Sequence, residues 1–94
     1  MKVILVSQRI DIVNSYEERR DALDQRWTDF LLKCDLLPLM LPNNISYFPA
    51  LVDQTFPVGG VLLTGGNSLV KYGGDAPERD CTERFVLEYA IKHS

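Results

Sequence analysis

The sequence predicts an α/β domain in which helices cover both faces of a mostly parallel β-sheet. Three apolar runs rich in strand-forming residues, at 3–6, 36–41 and 61–64, lack polar alternation, which is typical of strands buried on both faces. A helical pattern separates the first two runs, and another follows the third. The order strand, helix, strand, short helix, strand, loop, helix favours crossover connections between parallel strands.

The composition indicates one small domain, or part of a larger one, rather than two complete domains. The chain has 94 residues, of which 46% are hydrophobic and 24% charged, and its net charge is -3 at pH 7. Clustered Lys and Arg are lacking, so nucleic acid is not an expected partner. No run approaches the roughly 20 apolar residues that a membrane helix needs, and two cysteines are too few for a disulfide framework. We therefore expect a cytoplasmic protein with no membrane partner.

The first strand, at 3–6, is followed by a predicted helix from 16 to 34, because apolar residues in this segment recur at helical spacing. The apolar stripe consists of Leu23, Trp27, Phe30, Leu31 and Cys34. Cys34 is therefore expected to be a buried thiol. The charged residues of 17–26 are expected to form a solvated helix face.

The second half of the chain contains two strands and two helical segments. The second strand, 36–41, has Pro38 near its beginning and ends at a Pro-Asn-Asn turn. Residues 45–56 have helical spacing, but prolines limit any helix there to a turn or two. The third strand, 61–64, ends at paired glycines. The last helix is expected to begin near Asp75, a possible cap, with a proline in its first turn.

Open parallel sheets bind ligands beyond the carboxyl ends of their strands, so the loops after the three predicted strands are the candidate site. These loops contain Ser7, Gln8 and Arg9, then Asn43 and Asn44, and then Thr64-Gly65-Gly66-Asn67-Ser68. The paired glycines allow a sharp turn that presents backbone N–H groups to an anion or an oxyanion, although a plain turn is the alternative. The run lacks both the Gly-Lys-Ser/Thr of a phosphate P-loop and the glycine spacing of a dinucleotide fingerprint.

Neither the cysteines nor the single histidine predict a catalytic or metal centre. Cys81 lies near the beginning of the last predicted helix, where the helix dipole favours a thiolate. If that helix is continuous, His93 lies roughly 18 Å further along it, beyond hydrogen-bond reach. The two cysteines and one histidine also lack metal-ligand spacing, so we expect no bound metal.

Two strings around the paired glycines carry a family resemblance: VLLTGGN at 61–67, and YGGDAPERD at 72–80 with Glu83 shortly after it. Shorter strings at 7–9 and 20–27 add to it. Together they resemble the N-terminal half of a class I glutamine amidotransferase-like hydrolase of the γ-glutamyl-γ-aminobutyrate hydrolase group, over the whole chain. The resemblance implies an incomplete, flavodoxin-like, three-layer α/β fold.

The resemblance also implies a reaction and a set of site residues. The reaction is hydrolysis of a γ-glutamyl amide by a Cys-His-Glu triad, through an acyl-enzyme and without a cofactor. Gly66 would donate a backbone N–H to the oxyanion, and Gly65 would shape the turn. The residues implied to contact the substrate are Gln8, Arg9 and Asn67. Those implied to support the loop and helix beside the site are Arg79, Asp80 and Glu83.

The triad is expected beyond Ser94, because the resembled family has its nucleophile on the strand after the last predicted helix. Neither Cys34 nor Cys81 is at that position, so residues 1–94 are interpreted as the N-terminal part of one domain, without amidase activity of their own. The expected partners are a small γ-glutamyl substrate and either the remainder of the enzyme or a second copy. The alternative is a non-catalytic ligand-binding or assembly module of the same fold.

Overall fold

The computed structural model describes residues 1–15, 17–52, 58–65 and 73–93. Its elements, in chain order, are β1 (Lys2–Val6), β2 (Arg9–Val13), β3 (Glu18–Ala22), α1 (Gln25–Lys33), β4 (Leu36–Met40), α2 (Tyr47–Val52), β5 (Val58–Leu62) and α3 (Pro77–His93). Three of the strands form a parallel sheet, which confirms the predicted α/β class. The strands β2 and β3 form a separate antiparallel hairpin.

The parallel sheet has the strand order β4-β1-β5, with β1 at its centre. Its three strands correspond to the three apolar runs, although β5 begins at Val58, before the predicted start at Val61, and includes Gly59 and Gly60. Pro38 pairs with Ile4 in the middle of β4 rather than near its beginning. A proline is tolerated there because β4 is an edge strand of the described sheet, and an edge strand pairs on one side only.

The central strand β1 is covered on both faces. Ile4 and Val6 pack against Leu31 of α1, whereas Leu5 packs against residues of α2 and α3. Successive side chains of a strand point to opposite faces, so α1 lies on one side of the sheet and the other two helices lie on the opposite side. Leu5 is completely buried, which is worth about 1.5–3 kcal/mol. This two-sided burial explains why the first run shows no polar alternation.

The β2–β3 hairpin shows that the first half of the predicted helix is wrong. Pairing places Ile10 opposite Asp21 and Ile12 opposite Arg19. The alternation of isoleucine with polar residues in β2 favours a strand, and β3 contributes no residue to the apolar stripe that predicted the helix. The stripe begins at Leu23, so only the segment after it gains apolar burial by becoming helical.

The helix that does form, α1, begins and ends at identifiable signals. Arg26 donates hydrogen bonds to the capping Asp24 carboxylate from its guanidinium, at 2.6 Å, and from its backbone N–H, at 2.9 Å. These bonds lower the pKa of Asp24 to about 2. Asp35 has a left-handed φ of 61° and ends the helix. Cys34 lies past the last helical residue and is exposed, so its predicted burial is wrong.

The two helices on the other face agree with their predictions in extent. The short helix α2 has 6 residues. The long helix α3 is continuous from Pro77 to His93. Cys81 and His93 therefore lie on one helix, more than three turns apart. Among the described helices, none combines the length and apolar character needed to cross a bilayer. Within the same ranges, no three metal-binding side chains form a cluster.

The register between β1 and β5 can be tested at two glycines. A Cβ on Gly59 would lie 2.7 Å from Lys2 Cβ, whereas a Cβ on Gly60 would meet Ile4 Cδ1 at 3.4 Å, an ordinary contact. We expect Gly59→Ala to lower the free energy of unfolding by about 1–3 kcal/mol, because the strands must shift apart. Urea denaturation followed by far-UV circular dichroism measures this. Gly60→Ala is the matched control, and equal stabilities of the two variants would contradict the register.

Candidate functional site

The carboxyl ends of β1, β4 and β5 lie at one edge of the parallel sheet, the edge at which such sheets bind ligands. Polar residues there form two adjacent hydrogen-bonded groups. The first group contains Ser7, Thr64, Arg79 and Glu83, and the second contains Gln8, Asp21 and Asn43. The two groups together hold the three strand ends in place, and we call this region the carboxyl edge.

In the first group, Ser7 and Thr64 join the ends of β1 and β5. Both residues are buried. The backbone N–H of Thr64 donates to Ser7 Oγ at 2.9 Å, and Thr64 Oγ1 donates to the Ser7 carbonyl at 2.8 Å. The parallel pairing is thus extended by side chains beyond the last residues of the two strands. Gly65 is the next residue after Thr64 in the chain.

Arg79 connects α3 to the same point. Its guanidinium is 2% exposed, donates through Nη2 to the Thr64 carbonyl, and forms an ion pair with Glu83 at 2.9 Å. Glu83 is one turn further along α3, so the pair is the usual i,i+4 arrangement. The other terminal nitrogen, Nη1, is buried and has no hydrogen-bond partner in the part of the chain that the structure describes. Asp80 lies beside Arg79 on α3 and is half-buried.

In the second group, side-chain amides tie β1, β4 and the hairpin together. Gln8 Nε2 donates to the Leu41 carbonyl at 2.9 Å. Asn43 Nδ2 donates to the Gln8 carbonyl at 3.0 Å and to Asp21 Oδ1 at 2.9 Å. Asn43 Oδ1 is buried without a hydrogen-bond partner among the described residues. The Gln8 side-chain amide therefore joins the ends of β1 and β4.

The hairpin is also attached to the beginning of α3. Arg19 donates two hydrogen bonds to the Glu78 carboxylate, both at 2.7 Å, and one to the Asp75 carbonyl at 2.8 Å. These bonds hold the pKa of Glu78 below its ordinary value of 4.5. With Asp21 bound to Asn43 at the other side, β3 bridges the carboxyl edge from the end of β4 to the start of α3.

The structure places the remaining predicted site residues as follows. Gly65 is exposed, and a Cβ on it would meet no atom of the described residues within 4 Å. Its φ is not in the left-handed region, so the backbone at Gly65 does not itself require glycine. Arg9 is exposed and pairs with Asp11 at 3.0 Å. Gly66 and Asn67 lie outside the described residues.

Arg19, Asp21 and Glu78 belong to this edge but were not predicted to. From the sequence, Arg19 and Asp21 are expected on a solvated helix face, and Glu78 has no predicted role of its own. A signal for the hairpin was present, since Ile10 and Ile12 alternate with polar residues before an Asn-Ser turn. Their partners are distant in sequence, Glu78 for Arg19 and Asn43 for Asp21, and no local pattern indicates such pairs.

The carboxyl edge therefore offers a rigid frame with a few unengaged polar groups. Within the described residues, a buried donor on Arg79 and a buried acceptor on Asn43 have no partner, and Gly65 is exposed. Such groups are suited to orient a small polar ligand. Comparison adds no family to this description: no family model, no curated protein and no solved structure matches the chain.

The attachment of the hairpin predicts a pH-dependent stability. The pKa of Glu78 is lower in the folded chain than in the unfolded chain, so its pairing with Arg19 stabilises the fold above about pH 4.5. That contribution is lost as the pH falls through the folded-state pKa. We expect Arg19→Gln to lower the urea midpoint at pH 7 and to have a smaller effect at pH 3. In a Glu78→Gln background, Arg19→Gln should lower the urea midpoint by less than it does in the natural sequence. If the two substitutions lower the stability additively, the pairing is contradicted.

The anchoring role of Arg79 predicts a large effect of a conservative change. In Arg79→Lys the charge is kept, but one ammonium group cannot reproduce the guanidinium fork that reaches Thr64 and Glu83 together. We expect the free energy of unfolding to fall by about 1–3 kcal/mol, because a buried acceptor loses its donor. Arg84→Lys, on an exposed part of α3, is the control and should change stability by less than about 0.5 kcal/mol. Equal small effects would show that Arg79 does not anchor the edge.

Proposed function

We propose that this chain is the N-terminal part of a glutamine amidotransferase-like hydrolase that cleaves a γ-glutamyl amide. The observation that carries the proposal is the position of Gly65. It directly follows Thr64, which is bound to Ser7 and Arg79 at the carboxyl end of β5. Gly65 is exposed, and among the described residues no atom lies within 4 Å of a Cβ added to it. This is the place in which the resemblance implies an oxyanion-binding turn.

The strand order supports the same proposal. Along the chain, β1, β4 and β5 are the first, second and third strands of the parallel sheet, so the order β4-β1-β5 is second, first, third. The flavodoxin-like arrangement begins with the same order. In that arrangement the next strand of the chain is added beside the third. A nucleophile strand supplied by residues outside this sequence would then lie next to β5. Its carboxyl end would be a neighbour of Gly65.

The chemistry divides between this chain and the residues it lacks. A cysteine thiolate of the missing part attacks the γ-carbonyl carbon, and the carbonyl π electrons move onto oxygen. The backbone N–H of Gly66 donates to that oxyanion, a type of contact worth roughly 3 kcal/mol in other enzymes. The intermediate collapses to an acyl-enzyme and the amine leaves with a proton from the histidine. Water then hydrolyses the thioester and releases the γ-carboxylate.

The role of the described residues is to hold that donor in place. An oxyanion site works only if its donors are oriented before the reaction, because reorientation during the reaction costs energy. Thr64 is fixed from two sides, by Ser7 and by Arg79, immediately before the glycines. Gln8 acts with this frame by joining β1 to the end of β4. Arg9, which is exposed, remains the proposed contact of this chain for a charged part of the substrate.

A second candidate is a non-catalytic binding module of the same fold. It is favoured by two buried atoms of the carboxyl edge, Arg79 Nη1 and Asn43 Oδ1, that have no hydrogen-bond partner among the described residues. A donor and an acceptor of this kind suit a ligand that has both a carboxylate and an ammonium group. This candidate requires binding of a γ-glutamyl compound without turnover.

The test uses the protein produced from its complete reading frame. Release of amine from γ-glutamyl amides is measured for the natural sequence, for Gly66→Ala and for the distant control Gly60→Ala. We expect turnover in the natural protein, a loss of about 100-fold in Gly66→Ala, and no change in the control. All three should have the same thermal stability to within a few degrees.

The outcomes separate the two candidates. A reading frame without a cysteine elbow after this segment, or absence of turnover, would reject the hydrolase. Calorimetric binding of γ-glutamyl-glycine by that inactive protein would then support the binding module. Absence of both turnover and binding would reject both candidates.

A further inference from the structure

We infer that the outer face of α3 binds the same face of a second copy of this chain, with the two helices antiparallel. The inference does not depend on the proposed reaction. It rests on a stripe of exposed residues along α3, which we call the α3 stripe: Cys81, Arg84, Leu87, Glu88 and Ile91. These positions recur at intervals of three and four, so they lie on one side of the helix, opposite the buried Thr82 and Val86.

The α3 stripe exposes more apolar surface than a solvated helix face usually does. Ile91 is 76% exposed and Leu87 is 50% exposed. Beside the stripe, a groove of about 560 Å³ lies between α2 and α3, and its lining includes Ile45 and Val52, also largely exposed. Contiguous apolar surface of this kind, rimmed by charges, is typical of a protein contact.

The charges of the stripe select a second copy as the occupant. Arg84 and Glu88 are one turn apart and both line the groove. When two copies of α3 are antiparallel and centred on position 86, Arg84 of each copy lies opposite Glu88 of the other. The same register places Cys81 opposite Ile91, a small side chain against a large one. A twofold contact requires a patch that is complementary to itself, and the α3 stripe meets this requirement in both charge and size.

The first test reverses the charges one at a time and then together. Sedimentation velocity over 5–200 μM, on the protein produced from its complete reading frame, measures its monomer–dimer equilibrium. Arg84→Glu or Glu88→Arg alone brings like charges together twice per dimer, and we expect the dissociation constant to rise by at least about tenfold. The double reversal, Arg84→Glu with Glu88→Arg, should restore dimerisation to within about threefold. Lys33→Glu on α1 is the control of equal charge change.

The second test measures the register directly. In a Cys34→Ser background, Ile91→Cys places a new thiol opposite Cys81 of the second copy. The two cysteines of one chain are about 15 Å apart on a helix, too far to pair within it. Mild oxidation should therefore give a covalent dimer faster than it does in the control Leu32→Cys, where the new thiol lies on the exposed side of α1.

The results that would overturn the inference are equally definite. A protein that stays monomeric at every concentration would show that a second copy does not bind this face of α3. Single and double charge reversals with the same dissociation constant would exclude the antiparallel register. Equal crosslinking of Ile91→Cys and Leu32→Cys would exclude it as well. Circular dichroism spectra identical to that of the natural chain ensure that these variants are compared as folded proteins.

Discussion

The structure of the carboxyl edge depends on one buried guanidinium, that of Arg79. Burying a charge is expensive unless it is paired and hydrogen-bonded, so Arg79 stays buried only while Thr64 and Glu83 are both within reach. Thr64 is in turn held by Ser7 at the end of the central strand. The end of β1, the end of β5 and the first turns of α3 are therefore positioned by one connected set of contacts.

A second constraint acts through the hairpin, in which β2 buries Ile10 but β3 buries no side chain. The strand β3 is almost entirely exposed and is held by polar contacts, an ion pair of Arg19 with Glu78 at one side and hydrogen bonds between Asp21 and Asn43 at the other. Such contacts are weakened by salt and by protonation, whereas the packing of Leu5 between helices is not. The parallel sheet is thus accompanied by a peripheral strand, β3, whose attachment is polar and which lies across the carboxyl edge.

The sequence predicted the elements whose burial leaves a periodic pattern and failed where burial is slight. The three strands of the parallel sheet were found because two-sided burial produces continuous apolar runs, and α3 because a proline and acidic residues mark its start. The helix expected over 16–34 was wrong in its first half, since Arg19 and Asp21 lie in a strand. The charged residues of β3 are exposed and do not pack against a core, so their sequence carries no hydrophobic periodicity. Their strand conformation is set by pairing with β2.

The amino-acid sequence alone determined the class of this protein, an α/β fold with a parallel sheet and helices on both faces, and it contains paired glycines after the third parallel strand. Only the tertiary structure decided which polar residues meet at that end. Ser7, Thr64 and Arg79 come from three separate segments, and their hydrogen bonds leave no periodicity in the sequence. Apolar burial is repetitive and can be read locally. A polar network depends on a few specific distances between distant segments, and these exist only once the chain has folded.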